Sequence, residues 1–269
     1  MCRHHLFIPL IFIAALLFTT QFSMAQNEIQ HEKETTGIIE LRNYIIKPGQ
    51  RDSFISYFEN NLVHSQELIH GYPFARYTVK DYDDNFFWIR GFKDMATRSA
   101  FLPAFYFGDE WKKHRSVANN LLVNNDNVYL LKPIVLHKDS LVASSSLQRS
   151  SMIPKEGIAV IDFYISNTKL PQLLKLFAES YLPLLKENKI TNYTLWTSVL
   201  EPNDFPRLPV FQDKDLLVKL AFYKDEADYV VSMKRVNLKM SPALKADLQD
   251  AITIQHTLIL YPTKKTITQ

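Results

Sequence analysis

Arginine and aromatic residues alternate with apolar ones along two strand-like segments in the first half of the chain, a pattern suited to ligand binding. Glu40, Arg42 and Tyr44 share one face of the first segment, because side chains two residues apart in a strand point the same way. Trp88 and Arg90 share one face of the second. A guanidinium group pairs with a carboxylate and stacks on an aromatic ring. The two faces therefore predict an aromatic-walled pocket for an anionic ligand or a planar apolar one.

A helical segment downstream adds polar side chains to this pocket. On a helix through Trp111 and Ala118, both His114 and Arg115 fall on or beside the apolar stripe, so we expect them to face the sheet. Buried polar groups need hydrogen-bond partners. The candidate ligand-binding residues are thus Arg42, Tyr44, Trp88, Arg90, Trp111, His114 and Arg115.

The same residues also fit a structural role. Arg42 can pair with Glu40, and Arg90 with an acidic neighbour, inside a large α+β interior. His114 can bond a backbone carbonyl. The sequence leaves both interpretations open.

The remaining histidines give no specific support for a metal site, since none stands in His-x-x-x-His spacing. His64 is expected on the surface of a helix, His70 at the C-terminal end of that helix, and His256 on a strand face. His31 and His137 fall in segments expected to be solvated. The sequence also lacks a P-loop and the Gly-x-Gly-x-x-Gly and Gly-x-Ser-x-Gly motifs. It therefore predicts no metal ion and no other cofactor.

The candidate residues must be positioned by strands and helices, and the order of these elements repeats within the chain. Residues 37–133 follow the order β-α-β-β-α-β, which is the ferredoxin-like order, and residues 157–262 repeat it. The sequence therefore predicts an α+β fold of two tandem ferredoxin-like units, packed sheet to sheet as one pseudo-dimeric α+β barrel. Strands that are apolar on both sides, such as residues 85–89 and 216–220, indicate that both faces of each sheet are covered.

The segments outside the two units have the composition of connections. Residues 26–36 predict a disordered lead-in, the serine-rich residues 134–156 a linker, and residues 263–269 a tail. Within the first unit, Pro103 is expected to interrupt the second helix, which resumes by about Gly108.

Turn residues set further expected boundaries. Gly71 is expected to cap the helix of residues 50–69. Residues 81–84 are expected to form the turn before a strand at 85–92, and the last strand of the unit is expected at 128–132.

Residues 1–25 have the composition of an export signal. A short basic stretch at residues 3–5 precedes an apolar run at residues 6–18, and small residues at 23–25 offer a cleavage site. The apolar run is shorter than the roughly 20 residues needed to cross a bilayer. We therefore expect a signal peptide that is cleaved near Ala25, an exported protein that is periplasmic or extracellular, and no membrane span after cleavage.

Loss of this signal changes the chemistry that is available to the chain. Cys2 is the only cysteine and precedes the apolar run, so the mature chain would have no disulfide, catalytic thiol or thiolate metal site. Removal of Arg3 lowers the net charge from +3 to +2. This small and unclustered excess makes nucleic acid an unsuitable partner.

Four short motifs stand in the order in which one known family carries them. They are E-L-R-x-Y at 40–44, which runs into Lys47-Pro48-Gly49, then W-x-R-G-F at 88–92, D-E-W-K-K-H-R at 109–115 and Y-L-L-K-P at 129–133. Over about residues 38–133 the chain resembles the NIPSNAP family of the dimeric α+β barrel superfamily. The resemblance implies paired or tandem ferredoxin-like units, and it implies no agreed biochemical activity.

Alignment of the two halves places the candidate site in the first. Asp162 falls opposite Arg42, and Leu220 falls opposite Arg90. The helix residues opposite Trp111 and His114 are likewise non-matching. The second half is therefore expected to lack this polar set.

These observations lead to three hypotheses about the function of the protein. The leading hypothesis is a NIPSNAP-like protein of unknown biochemical activity that binds a small apolar or anionic ligand in its N-terminal half. By analogy of fold alone, the second is a cofactor-free monooxygenase or an enzyme of the haem-degrading type, with His114 as catalytic base or axial ligand. The third is an oligomeric protein-interaction module that forms a homo-oligomer.

Overall fold

The computed structural model describes residues 35–137, 140–143, 146–154 and 156–264. The predicted signal peptide and almost all of the predicted lead-in lie outside these residues, as do residues 265–269 of the predicted tail. The barrel described below lies within the compact unit Thr36–Gln269.

The described residues form twelve strands and eight α-helices. The strands are β1 (Thr35–Thr36), β2 (Ile38–Ile46), β3 (Tyr72–Val79), β4 (Tyr82–Phe92), β5 (Leu122–Asn124), β6 (Val128–His137), β7 (Ser140–Ala143), β8 (Leu147–Gln148), β9 (Ile158–Ser166), β10 (Tyr193–Ser198), β11 (Leu216–Tyr223) and β12 (Ile252–Pro262). The helices are α1 (Arg51–Asn61), α2 (Val63–Glu67), α3 (Met95–Tyr106), α4 (Asp109–Leu121), α5 (Leu170–Leu176), α6 (Leu182–Glu187), α7 (Glu226–Lys239) and α8 (Pro242–Ala251). A 3₁₀ turn spans Arg149–Met152, and a π-helical turn spans Phe177–Tyr181.

Eight strands close into one antiparallel barrel. Their order around the barrel is β2-β4-β3-β12-β9-β11-β10-β6, and β6 pairs back onto β2. Each half contributes four strands, which lie in the order last, first, third, second. Two seams join the halves: three residue pairs between β3 and β12, and four between β10 and β6. The predicted α+β barrel is therefore present as a closed eight-stranded barrel.

Alternation along the strands separates the core into an interior layer and two layers under the helices. On β4, for example, Phe87 and Ile89 fill the barrel, whereas Phe86 and Trp88 face the helices of the first half. On β11, Leu217 and Ala221 likewise face the helices of the second half. Both faces of the sheet are thus buried, which explains the strands that are apolar on both sides.

Helix α3 runs through Pro103, contrary to the expected interruption there. Pro103 is exposed inside the helix, and the chain leaves the helix only at Phe107 and Gly108. A Cβ atom at Gly108 would lie 2.4 Å from the carbonyl oxygen of Ala104, so the close turn into α4 requires glycine. A proline removes a single backbone hydrogen bond, and here this loss does not end the helix.

Strand β6 is longer than predicted because it serves both halves of the barrel. Residues 128–131 pair with β2, and residues 131–134 pair with β10. Pro133 follows the last residue that pairs with β2 and lies opposite Trp196 of β10. The start of the predicted linker is therefore a strand, which continues to His137.

Two turns also differ from the expected ones. The predicted 81–84 turn is shorter, since Asp81 alone takes a left-handed conformation (φ 62°) and β4 begins at Tyr82. At the end of α2 the left-handed residue is His70 (φ 67°), not Gly71. Gly71 is required for a different reason, since a Cβ atom there would lie 2.2 Å from the ring of Phe101. In the described part of the chain, no helix combines the length and apolar character needed to span a membrane.

Candidate functional site

Glu40 is the centre of a buried group of charges on the helix-facing side of the first-half strands. Its Oε2 accepts hydrogen bonds from Arg42 Nη1 at 2.7 Å and from Arg90 Nη2 and Nε at 2.6 and 2.9 Å. Its Oε1 accepts one from Arg98 Nε at 2.8 Å. All four side chains are fully buried. Glu40, Arg42, Arg90 and Arg98 are called the arginine cluster below.

Strand register and one helix bring the arginine cluster together. Glu40 lies opposite Arg90 in the β2–β4 ladder, and Arg42 follows two residues later on the same face of β2. Arg98 comes from the first turn of α3. The start of that helix is fixed by Asp94, whose side chain accepts a backbone N–H of the first turn.

Polar neighbours in the first half supply further acceptors. Arg90 Nη1 donates to Gln66 Oε1 at 2.9 Å. Arg42 Nε donates to the hydroxyl oxygen of Tyr44 at 2.9 Å. Glu40, Arg42 and Tyr44 therefore share one face of β2, as predicted. Arg42 and Arg90 also both pair with an acidic neighbour, Glu40, as the structural interpretation proposed.

A loop of the second half, residues 199–215, reaches the same cluster. Arg98 Nη1 donates to Asn203 Oδ1 at 3.2 Å and lies 3.4 Å from Asp204 Oδ1. The buried Val199 belongs to the apolar layer beneath the helices of the first half. The cluster of the first half thus contacts residues of the second half, which the sequence pattern did not predict.

Burial and mutual attraction act on the pKa values of this group in opposite directions. Burial alone would raise the pKa of Glu40, but the neighbouring guanidinium groups, Arg90 first, hold that pKa well below its ordinary value of 4.5. Burial alone would lower the pKa of Arg42, yet Tyr44, Tyr106 and Glu40 raise it above its usual range. Burial raises the pKa of Tyr44 to about 12, so this phenol is neutral at pH 7.

The cluster carries more positive than negative charge. Three guanidinium groups contact the buried carboxylate of Glu40. That of Arg98 also lies near the carboxylate of Asp204, whose side chain is 40% exposed. Because Tyr44 is neutral at pH 7, one positive charge is left over.

A cavity of about 40 Å³ lies beside the arginine cluster, between the sheet and the helices. Arg90 and Gln66 are its polar lining groups close to the cluster. Its aromatic wall consists of Tyr44, Phe54, Phe58, Trp88, Phe105, Tyr106 and Trp111. Pockets for small organic ligands are typically about 300–1,000 Å³, so the cavity is closed in this structure.

The outer wall of the cavity is the part with room to move. Trp111 is half-buried and packs on Phe105 and Tyr106, with ring centroids 5.5 Å from each. The half-buried ring of Phe205, from the loop of the second half, stacks on Tyr106 at 5.8 Å. By contrast, Trp88 is fully buried against the strands.

The structure brings together five of the seven predicted residues. Tyr44, Trp88, Arg90 and Trp111 line the cavity. Arg42 lies beside them, with its guanidinium carbon 5.2 Å from the centroid of the Trp88 ring.

His114 is buried but lies outside the cavity lining. Its Nδ1 is 2.7 Å from the hydroxyl oxygen of Tyr57, and the two ring centroids are 5.7 Å apart. Its Nε2 is 3.7 Å from a carboxylate oxygen of Glu110, one turn earlier on α4. His114 therefore links α1 to α4.

Arg115 is exposed, so the expectation that it faces the sheet is not met. On α4 the buried positions are His114 and Ala118, one turn apart. Arg115 is displaced by about 100° from His114 around the helix, enough to turn it to solvent.

Sequence reasoning missed Arg98, Gln66 and Tyr106. Arg98 stands three and four residues before the buried Phe101 and Leu102, so helical spacing alone would have placed it on the buried face of α3. For Asn203 and Asp204 the sequence contains no comparable signal, because their contact with Arg98 spans more than 100 residues.

The second half carries a different set of buried charges, centred on Asp162, the residue that falls opposite Arg42. Lys219 Nζ lies 2.8 Å from Asp162 Oδ2, and Thr257 Oγ1 donates to Asp162 Oδ1 at 2.6 Å. The predicted alignment of Arg90 with Leu220 is wrong. Leu220 faces the barrel interior, and its neighbour Ala221 faces the helices. A shift of one residue turns every side chain of a strand to the opposite face.

No family model matches the chain, and no curated protein is similar to it in sequence. Solved structures share its fold. A proposed monooxygenase from Fusobacterium nucleatum is similar with a TM-score of 0.51 and 15% identity, over 85% of this chain and 93% of that one. A proposed monooxygenase from Lactobacillus acidophilus is similar with a TM-score of 0.50 and 11% identity, over 84% of this chain and 94% of that one.

A NIPSNAP domain protein from Burkholderia xenovorans is similar over 93% of its own length but only 36% of this chain, with a TM-score of 0.30 and 16% identity. A likeness at that level assigns no family. The likeness to the structures from Fusobacterium nucleatum and Lactobacillus acidophilus shows a shared fold alone.

Proposed function

We propose that this protein binds one small planar molecule, apolar or anionic, in the cavity between the first-half strands and helices α1, α3 and α4. One observation carries the proposal: Tyr44, Trp88, Arg90 and Trp111, which come from three separate segments, line the same cavity. Aromatic walls with a few fixed polar groups are the usual composition of a small-molecule site.

The ligand enters by displacing the outer wall. The cavity of about 40 Å³ has no room for an aromatic ring in its closed form. Trp111, Tyr106 and Phe205 are half-buried, so their rings can turn outward at a lower cost than rings packed against the strands. Once the ligand has entered, the Trp111 ring packs against it. Trp88 and Arg90 then form the fixed inner wall, with the rest of the arginine cluster beside them.

Binding of matched aromatic probes tests the proposal. The probes are 2-naphthoate and its neutral analogue 2-naphthamide, titrated into the full mature chain and followed by isothermal calorimetry. Removal of the Trp111 ring in Trp111→Ala is expected to weaken binding of both probes by about tenfold or more, since a buried aromatic ring contributes roughly 1.5–3 kcal/mol.

The control is Leu238→Ala, an exposed apolar residue on α7 far along the chain. Its affinity for both probes is expected to equal that of the wild type. Equal affinities in Trp111→Ala and the wild type, or no binding of either probe, would show that the cavity is not a ligand site.

We also propose the finer family relationship. The four motifs within residues 38–133 support a NIPSNAP-like first half. The strand order last, first, third, second in each half of the barrel supports an origin from two tandem ferredoxin-like units.

Export is a further proposal, supported by the composition of residues 1–25. The intact mass of the protein recovered from the periplasm or the medium tests it. A mass that corresponds to residues 26–269 is expected. Recovery of a chain that retains Met1 from the cytoplasm alone would rule export out.

A further inference from the structure

Three donors in and beside the arginine cluster have no acceptor within the described part of the protein. They are Arg42 Nη2, Arg98 Nη2 and Trp88 Nε1, and all three atoms are buried. Buried donors are almost always paired with an acceptor. Arg42 and Trp88 are direct neighbours across the β2–β4 ladder, so two of these donors belong to one small region.

The other deeply buried tryptophan behaves differently. Trp196 lies inside the barrel, and its Nε1 donates to Thr194 Oγ1 at 2.9 Å. Where an indole is only part of the core, this fold supplies an acceptor for it. Trp88, which lines the cavity, is given none.

The balance of charges in the arginine cluster also indicates an anion in this region. Three buried guanidinium groups face the carboxylate of Glu40 and the half-exposed one of Asp204, and Tyr44 is a neutral phenol. A buried charge without a counterion is strongly unfavourable. A water molecule would satisfy a donor but would not balance the charge.

We propose that the arginine cluster holds one monovalent, hydrogen-bond-accepting anion beside Arg42 and Trp88, at the inner end of the aromatic cavity. Two sources share this chemistry: a free inorganic anion such as chloride, and a carboxylate on the planar ligand. The second form rests on the proposed function; the first does not.

Thermal unfolding of the full mature chain tests the site at constant ionic strength, with gluconate replaced stepwise by chloride or by benzoate. The melting temperature of the wild type is expected to rise and saturate with at least one of the two, because an anion that binds only the folded state stabilises it.

Trp88→Phe keeps an aromatic ring at this position but removes the indole N–H donor. Loss of a hydrogen bond to a charged group is expected to raise the half-saturating anion concentration by about tenfold. Trp196→Phe is the matched control, since it removes the same group from the barrel interior, and its half-saturating concentration is expected to equal that of the wild type.

Arg42→Met is the second variant and removes the surplus charge. It leaves two guanidinium groups and two carboxylates, so the anion-dependent part of the melting curve is expected to disappear even if the melting temperature in gluconate changes. This readout separates loss of the site from a general loss of stability.

The two sources are distinguished by competition and by Trp111→Ala. If benzoate and chloride each stabilise, do not add, and benzoate alone is weakened by Trp111→Ala, the anion subsite belongs to the ligand pocket. If chloride stabilises and benzoate does not, the site is an inorganic anion site and stands apart from the proposed function.

The proposal is overturned if neither anion gives a saturable rise, or if Trp88→Phe and Trp196→Phe respond alike. In that case neutral 2-naphthamide can still bind the aromatic cavity with the proposed Trp111 dependence. Failure of the anion site is thereby separate from failure of the ligand site.

Discussion

Glu40 and its three arginine partners show how a few residues combine strong pairing with incomplete pairing. The carboxylate takes four short hydrogen bonds from guanidinium groups. Within the described part of the protein, Arg42 and Arg98 nevertheless each keep one donor nitrogen without an acceptor. A group that served stability alone would gain from pairing every donor. The unpaired donors are the groups that the proposed anion would satisfy.

Glu40→Gln is expected to destabilise the fold by about 3–5 kcal/mol, because it leaves three buried guanidinium groups without their shared carboxylate. Urea unfolding followed by circular dichroism measures the change. Asp109→Asn is the control, since Asp109 is almost fully exposed and pairs with the exposed Lys112 on the same helix. Its unfolding midpoint should match the wild type. A similar midpoint for Glu40→Gln would contradict the central role of this carboxylate.

The free energy of unfolding should also decrease as the pH is lowered, in a way that depends on Glu40. Its pKa lies well below 4.5 in the folded state, so the unfolded chain binds more protons as the pH falls past that value. The stabilisation from Glu40 is thus complete above about pH 5 and is lost as the pH drops towards the folded pKa. Urea midpoints measured down to about pH 3 should fall less steeply in Glu40→Gln than in the wild type. Parallel slopes would speak against a depressed pKa.

At the scale of elements, helices α1 and α4 each carry residues that line the cavity. They are joined by the hydrogen bond between Tyr57 and His114, and Trp111 stands less than one turn before His114 on α4. His114 therefore positions a helix that bears a cavity residue, and it makes no contact with the cavity itself.

Double-mutant analysis of Tyr57→Phe and His114→Gln tests this role. Each single change should cost about 0.5–1.5 kcal/mol of unfolding free energy, and the double change should cost no more than one of them, since both remove the same bond. Affinity for 2-naphthamide should stay within about threefold of the wild type, because less than 1 kcal/mol is at stake in the cavity. Complete loss of a turnover activity in His114→Gln, with affinity unchanged, would favour the enzymatic alternative.

Sequence patterns predicted the types of the elements well. They failed where the extent or the register of a strand depends on pairing with a distant strand. The period-two pattern placed Arg42 with Tyr44 on one face of β2 and Arg90 with Trp88 on one face of β4. The structure turns both faces to the helices. Pro133 suggested the end of a strand, but pairing with both halves carries β6 across it. Leu220 was assigned to the wrong face because the halves were aligned one residue out of register, and no local pattern fixes register between distant strands.

At the scale of the molecule, the closed barrel places a loop of the second half over the site of the first. The β6–β10 seam holds residues 195–198 against residues 131–134, and the loop that follows β10 then reaches Arg98. This contact needs the closed barrel as well as both halves. Sequence reasoning on each half separately was therefore unable to predict it.

Asp204 makes this crossing testable. Because its carboxylate offsets part of the surplus positive charge, Asp204→Asn is expected to strengthen anion binding, by about two- to fivefold given its partial exposure to solvent. The half-saturating chloride or benzoate concentration in thermal unfolding measures this. Glu201→Gln, an exposed residue of the same loop, is the control and should bind as the wild type does. Weaker binding in Asp204→Asn would contradict the charge account.

Native mass spectrometry of residues 26–269 incubated with 2-naphthoate tests the central claim most directly. The wild type is predicted to carry one naphthoate per chain, and Trp111→Ala is predicted to carry none at the same concentration. Both chains should show the same charge-state distribution, which confirms that both are folded. Equal naphthoate occupancy in the two proteins, or none in either, would contradict the assignment of the cavity as a ligand site.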